Sequence, residues 1–179
     1  MLFERHLAAP GPEVFERVKY HTPNVSGRMD NLRAAILRPQ LRALDAQVDR
    51  WNGLYRTLEA GLRDCPGLTL VDRDPRERFV GSSFQALMLD WPASALEALL
   101  ARCAARGVEL KWFGAPEPVA FTSRYDSWRY APCAPMAATD RILAGLVDLR
   151  LPLTFSHDDC AQIARIIRAE VSAVHQQGG

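Results

Sequence analysis

Between Leu37 and Leu62 the apolar residues fall at alternating gaps of four and three: Leu37, Leu41, Leu44, Val48, Trp51, Tyr55, Leu58 and Leu62. An α-helix brings such positions onto one face turn after turn, because 3.6 residues complete a turn. Arg38, Arg42, Asp45, Asp49, Arg50 and Arg56 fall off that face. Asp30 stands where a carboxylate can take an orphan backbone N–H at a helix start. Pro39 has no N–H to donate and predicts a kink or a broken turn inside the helix. The reading is one long helix from Asp30 to Leu62 that must lay its stripe on a second layer.

The rest of the chain supplies that layer. Leu68–Val71, Phe79–Leu89, Val108–Phe113 and Leu149–Leu153 read as strands. In the second, Phe84, Ala86 and Met88 alternate with Gln85, Leu87 and Leu89, one set for each face. Pro92 opens a helix with Leu96, Leu99, Leu100 and Cys103 on its buried side, and Gly107 closes it. Thr139 is expected to cap a short helix burying Ile142, Leu143 and Leu146. Ser156 and Asp159 form a capping box for a last helix with the stripe Cys160, Ile163, Ile167, Val171 and Val174. Asp72 to Arg78 is a charged loop, read as a solvated turn. Gly114 to Ala134 is a long irregular segment rich in aromatic and basic residues. Segments of that length are functional or poorly ordered. The order of elements predicts an α+β fold: a small, mainly antiparallel sheet with helices packed on it and one long helix leading in.

The chain has 179 residues, 48% of them hydrophobic, enough for one domain with a real core. A net charge of +1 and the lack of a basic stripe argue against nucleic acid and anionic lipid as partners. No apolar run is long enough to span a bilayer, and the charged N-terminus lacks an apolar signal core. Cys65, Cys103, Cys133 and Cys160 are scattered without a Cys-x-x-Cys pair, so free thiols in a reducing cytoplasm are expected. His6, His21, His157 and His175 share no metal or triad spacing. Lys19 and Lys111 are the only lysines.

The wording of the long helix says more than its period. RMDNLRAAILRPQLRALD, with Arg28-Met29, Ala34-Ala35, Gln40-Leu41 and Leu44-Asp45 at matching places, resembles the segment joining large and small domains in the DegT/DnrJ/EryC1/StrS family. Leu149–Leu153 followed by SHDDCAQIARII resembles that family's last strand and last helix. The family's members are aminotransferases that use pyridoxal phosphate, many acting on keto sugars, with the aspartate-aminotransferase fold (fold type I). The resemblance implies a remnant of a large-domain end at 1–29. It implies a small C-terminal domain at 30–179 that includes the linking helix. It also implies the C-terminal portion of an aminotransferase-like enzyme without its lysine-bearing half, inactive alone, in the cytoplasm. A homodimer or a complementing upstream half is the expected partner and a small molecule the substrate. The alternative is a non-catalytic dimerisation or interaction module derived from the fold.

Site residues follow from the same resemblance. Asn24, Ser26 and Arg28 match the element that reaches a neighbour's cofactor phosphate, with Ser26 standing at the family's asparagine. The other reading of Asn24 and Ser26 is a turn before the helix. Where the family has a His-Tyr pair, this chain reads Lys111-Trp112-Phe113-Gly114. Trp112, Phe113, Arg124, Tyr125, Trp128 and Arg129 can wall a substrate pocket by stacking and charge, or pin the loop to the core. Arg150 stands where such enzymes place an arginine for a substrate carboxylate. No catalytic residue and no metal ligand is assigned.

Overall fold

The computed structural model describes residues 29–117 and 124–177, together with Glu13, Arg17, Tyr20 and His21. Most of the expected large-domain remnant therefore lies outside the described residues. The stripe begins in helix α1 (Asn31–Arg42), and Asp30 caps it as expected: the Arg33 N–H donates to Asp30 Oδ1 at 2.7 Å. The single long helix of the sequence reading is in fact two. The Ala43 N–H turns to the Gln40 carbonyl at 3.1 Å, a tight bond in place of the helical one to Pro39, and α2 (Leu44–Leu62) starts after it. Pro39 is accommodated within α1, and the break follows one turn later.

The break divides the stripe. Val48, Leu54, Tyr55, Leu58 and Leu62 of α2 are buried, whereas α1 buries nothing. Leu37, Leu41 and Leu44, expected on the core, are exposed.

Four antiparallel strands form the sheet in the order β1-β2-β4-β3. They are β1 (Thr69–Leu70), β2 (Ser83–Leu87), β3 (Lys111–Trp112) and β4 (Leu146–Arg150). β2 is shorter than predicted because Asn52 of α2 captures the residues before it. Its Nδ2 donates to the Phe79 carbonyl at 3.0 Å, and its Oδ1 accepts from the Gly81 N–H at 2.8 Å. β4 starts three residues earlier than predicted, directly from the end of α4 (Ala137–Gly145). Its last pairing bond runs from the Leu151 N–H to the Ser82 carbonyl at 2.9 Å, and Pro152 then offers no donor. In α4, Thr139 lies inside the first turn, Met136 is the cap, and Ile142 is exposed rather than buried.

Phe84, Ala86, Met88, Trp112, Val147 and Leu149 turn one sheet face to the helices. Over it lie α2, α3 (Ala93–Ala105) and α5 (His157–Gln177). α2 and α5 come so close that a Cβ on Gly61 would stand 2.6 Å from Ala164 Cβ. α5 opens with the predicted capping box: Asp159 N–H to Ser156 Oγ at 3.1 Å and Ser156 N–H to Asp159 Oδ2 at 2.8 Å. α3 ends on Gly107 at φ +80°, with Gly107 N–H to Ala104 O and Val108 N–H to Cys103 O each at 2.9 Å. That paired-bond ending needs a left-handed residue, which glycine adopts without a Cβ clash. No helix among the described residues is long and apolar enough to cross a membrane.

Candidate functional site

The second face of the sheet is covered by none of the three core helices, and none of its strand residues is buried. The register sets Gln85, Asp148 and Lys111 side by side across three strands. Asp148 Oδ1 is shielded from solvent and accepts no hydrogen bond. A shielded acceptor without a donor is costly, so such an atom marks a place where a donor is wanted. Lys111 lies opposite Asp148, yet its ammonium sits 4.5 Å from the Phe113 ring centroid, in cation–π contact.

Phe113 leads into a cleft of about 440 Å³. Its walls are Phe113 and Gly114 after β3, Asp140, Leu143 and Ala144 of α4, and parts of segment 124–135. That segment is pinned by Tyr125 in a short 3₁₀ turn (Tyr125–Ser127). The Tyr125 hydroxyl donates to Asp140 Oδ1 at 2.7 Å and accepts from the Met136 N–H at 3.2 Å. The Asp140 carboxylate holding that proton pushes the Tyr125 phenol above its usual range. Arg124 Nε donates to Asp126 Oδ1 at 2.9 Å, and Nη2 reaches Asp126 Oδ2. This fork holds the Asp126 carboxyl below the usual carboxylate range. The charged lining residues are thus Arg124 against Asp126 and Asp140, a surplus of acid with the one cation already engaged. The cleft suits hydroxyl and amine groups better than a free anion.

A second cleft, about 480 Å³, shares Arg124 and Asp126 with the first and continues past them to Tyr20, Glu117, Ser127 and Arg129. The Arg129 N–H donates to the Tyr20 carbonyl at 2.9 Å, and Arg129 Nη1 lies 3.0 Å from His21 Nε2. These contacts bring Tyr20 and His21 onto the cleft region.

The predicted site residues fall in different places. Phe113, Arg124 and Tyr125 line the first cleft, and Arg129 lines the second. Trp112 points to the helix side, where it is buried and its indole N–H donates to the Ala144 carbonyl at 2.8 Å. Trp128 lines neither cleft and stacks on Tyr130, centroids 6.1 Å apart. Arg150 is exposed at the end of β4 opposite Ser83, on the uncovered face. Asn24, Ser26 and Arg28 lie outside the described residues. Sequence reasoning named Tyr125 among the pocket walls but missed Asp140, which meets it only through tertiary structure, and Asp148, whose face depends on where β4 starts.

The described residues do not fit pyridoxal phosphate by themselves. That cofactor wants a lysine nitrogen beside a cradle of donors for its phosphate. Lys111 is the sole lysine among the described residues; it lies on β3 against a phenyl ring, and the arginine nearest the cleft is occupied by Asp126. No group of three or more His, Cys, Asp or Glu among the described residues is placed to hold a metal ion.

No curated protein matches the chain. Solved structures do. The aminotransferase TlmJ from Streptoalloteichus hindustanus is similar at a TM-score of 0.66 and 21% identity, over 86% of this chain and 40% of its own. 3-Amino-5-hydroxybenzoic acid synthase gives 0.65 and 20%, over 92% and 49%. Helicobacter pylori PseC, an aminotransferase involved in the biosynthesis of pseudoaminic acid, gives 0.66 and 12%, over 92% and 48%. At these identities the likeness shows the fold, and the chain spans less than half the length of each. The family's own model matches residues 4–168, nearly the whole sequence, so the chain belongs to the DegT/DnrJ/EryC1/StrS aminotransferase family.

Proposed function

We propose that this chain is the C-terminal portion of a pyridoxal-phosphate-dependent enzyme that passes an amino group to a keto substrate, a keto sugar being the leading class. In this reading a separate upstream half brings the cofactor lysine. The supporting observation is the family match over residues 4–168, set beside Lys111, which sits on a strand against Phe113. The cleft walled by Phe113, Tyr125, Asp126 and Asp140 then serves the substrate side. Its carboxylates accept from hydroxyls and its rings cover an apolar ring face. Asn24, Ser26 and Arg28 supply phosphate donors in the assembled enzyme, as the resemblance implies.

A second reading, a non-catalytic interaction module, is favoured by one observation: α1 is exposed along its whole length. The two readings part in an assay of amino transfer with the upstream half supplied in trans. The enzyme reading expects no activity from this chain alone and activity from the mixture. It also expects Arg28→Ala to lower that activity about tenfold or more, the size of one charge-assisted phosphate contact. A mixture that stays inactive while both halves are folded and bound to each other supports the module instead.

A further inference from the structure

A further cleft, about 370 Å³, lies where β2 leads into α3, and its lining shares no residue with the other two. Leu89, Asp90 and Trp91 line it from that turn, and Val174 and His175 from the end of α5. The Trp91 and His175 rings stack, 13° from parallel with centroids 5.9 Å apart. Gly67 fixes both rings. A Cβ on it would stand 3.0 Å from Trp91 Cζ2 and 3.0 Å from His175 Nδ1, so only a residue without a side chain fits. The chain enters the cleft through Asp90 at φ +66°, one of two non-glycine residues with positive φ among the described residues. A left-handed aspartate is a cost the fold accepts here, and the Asp90 and Trp91 side chains then both line the cleft.

We propose that this cleft is a binding site for a small organic amine that carries an apolar ring. Leu89, Trp91 and Val174 offer the ring an apolar seat, and Asp90 offers the ammonium a carboxylate. Asp90 is the one carboxylate in the lining, and no lysine or arginine lines the cleft with it. Its ion partner, Arg141 of α4, reaches it from outside the lining at 3.6 Å, with the two side chains 71% and 76% exposed. So loose a surface pair is worth little, and an ammonium that takes Asp90 beside the Trp91 ring gives up little in displacing it. The end of α5 favours a cation and the start of α3 an anion; these helix-end effects oppose each other, and the carboxylate decides the sign. This inference stands independently of the proposed enzyme function.

Nitrogen-15 NMR of the full chain tests it, with phenethylamine, 2-phenylethanol and 3-phenylpropanoate as probes. The chain has four tryptophans, so the indole signals are few, and Trp91→Phe identifies the one that reports on the cleft. Phenethylamine is expected to shift that signal saturably, with a Kd on the order of 1 mM, as so small a ligand allows. The uncharged alcohol should bind about tenfold more weakly, and the carboxylate more weakly still. Asp90→Asn keeps the left-handed backbone, which asparagine also adopts, and should bring the amine down to the level of the alcohol. Leu89→Lys sets a competing ammonium in the cleft from an exposed position and should weaken the amine about tenfold; it decides the matter if Asp90→Asn fails to fold. Equal binding of amine and alcohol overturns the proposal, as does tighter binding of the carboxylate. An Asp90→Asn variant that keeps the preference for the amine overturns it too. So does a Trp91 signal that none of the three probes moves at up to about 20 mM, well above the expected Kd.

Discussion

Gly145→Val is expected to destabilise the domain by about 3 kcal/mol or more, because it pushes a side chain into backbone rather than into space. A Cβ at Gly145 would lie 2.5 Å from the Met88 carbonyl oxygen and 2.9 Å from its carbon. Neither strand can yield cheaply. The Met88 N–H donates to the Gly145 carbonyl at 2.9 Å, and the next residues, Leu87 and Leu146, are ladder partners. Relief of the clash means prising β2 from β4 at the start of their pairing. Even Gly145→Ala should cost about 2 kcal/mol, since the offending atom is the Cβ itself. Gly107→Ala is the contrasting control. Its Cβ meets nothing within 4 Å, and its φ of +80° alone sets the cost, about 1 kcal/mol. Urea unfolding of the three variants measures the differences. A Gly145→Ala midpoint equal to that of the parent would contradict the close approach of α4 to β2.

Glu170→Ala is expected to cost about 2 kcal/mol, below the range for a fully buried pair because its arginines are partly solvated. Glu170 on α5 is only 7% exposed. It accepts from Arg102 Nε at 2.6 Å and from Arg106 Nη1 at 2.8 Å, tying α3 to α5. The two guanidiniums, Arg106 first, hold its carboxyl below the usual range. The sign of the pH effect follows. A folded-state pKa below the unfolded value of about 4.3 means that the unfolded chain takes up the proton first. The stabilisation is therefore complete above about pH 4.3 and fades as pH falls through the lower folded value. Glu170→Gln should remove that acid-side loss while leaving the helices packed. The same cluster governs Cys103, whose thiol is pushed up to about 11 by burial first and by the Glu170 carboxylate second, so it should resist alkylation at neutral pH. A Glu170→Gln variant with the parent's full decline below pH 4.3 would show that other carboxylates carry the acid sensitivity.

What the sequence showed and what it hid divide by range. α3, α5 and their ends were legible because their signals are local: Gly107 for the left-handed stop, Ser156 and Asp159 for the capping box, and stripes at helical spacing. The break near Ala43 was half legible. Pro39 announces trouble, but a proline tolerated within the helix displaced the break by a turn, and α1 then left the core. The start of β2 was not legible at all, since Asn52 takes the Phe79 and Gly81 backbone groups from 27 and 29 residues away. β4 was misplaced because an apolar pattern of Ile142, Leu143 and Leu146 suits a buried helix equally well. In the cleft, Phe113, Arg124 and Tyr125 were anticipated from an aromatic and basic loop. The acidic partner of Tyr125 was not, because Asp140 lies 15 residues away in a different element. Trp112 belongs to the core for a reason invisible in sequence: its indole N–H finds the Ala144 carbonyl, so the ring loses nothing by burial.

In the proposed function the cofactor lysine comes from an upstream half and not from Lys111. Incubation with pyridoxal phosphate, reduction with borohydride and mass spectrometry of each polypeptide test it most directly. The expected result is no saturable one-to-one pyridoxyl adduct on this chain alone, only weak scattered labelling. In the mixture with the upstream half, stoichiometric labelling of that half is expected. Saturable one-to-one labelling at Lys111, abolished by Lys111→Ala and accompanied by amino transfer from this chain alone, would contradict it.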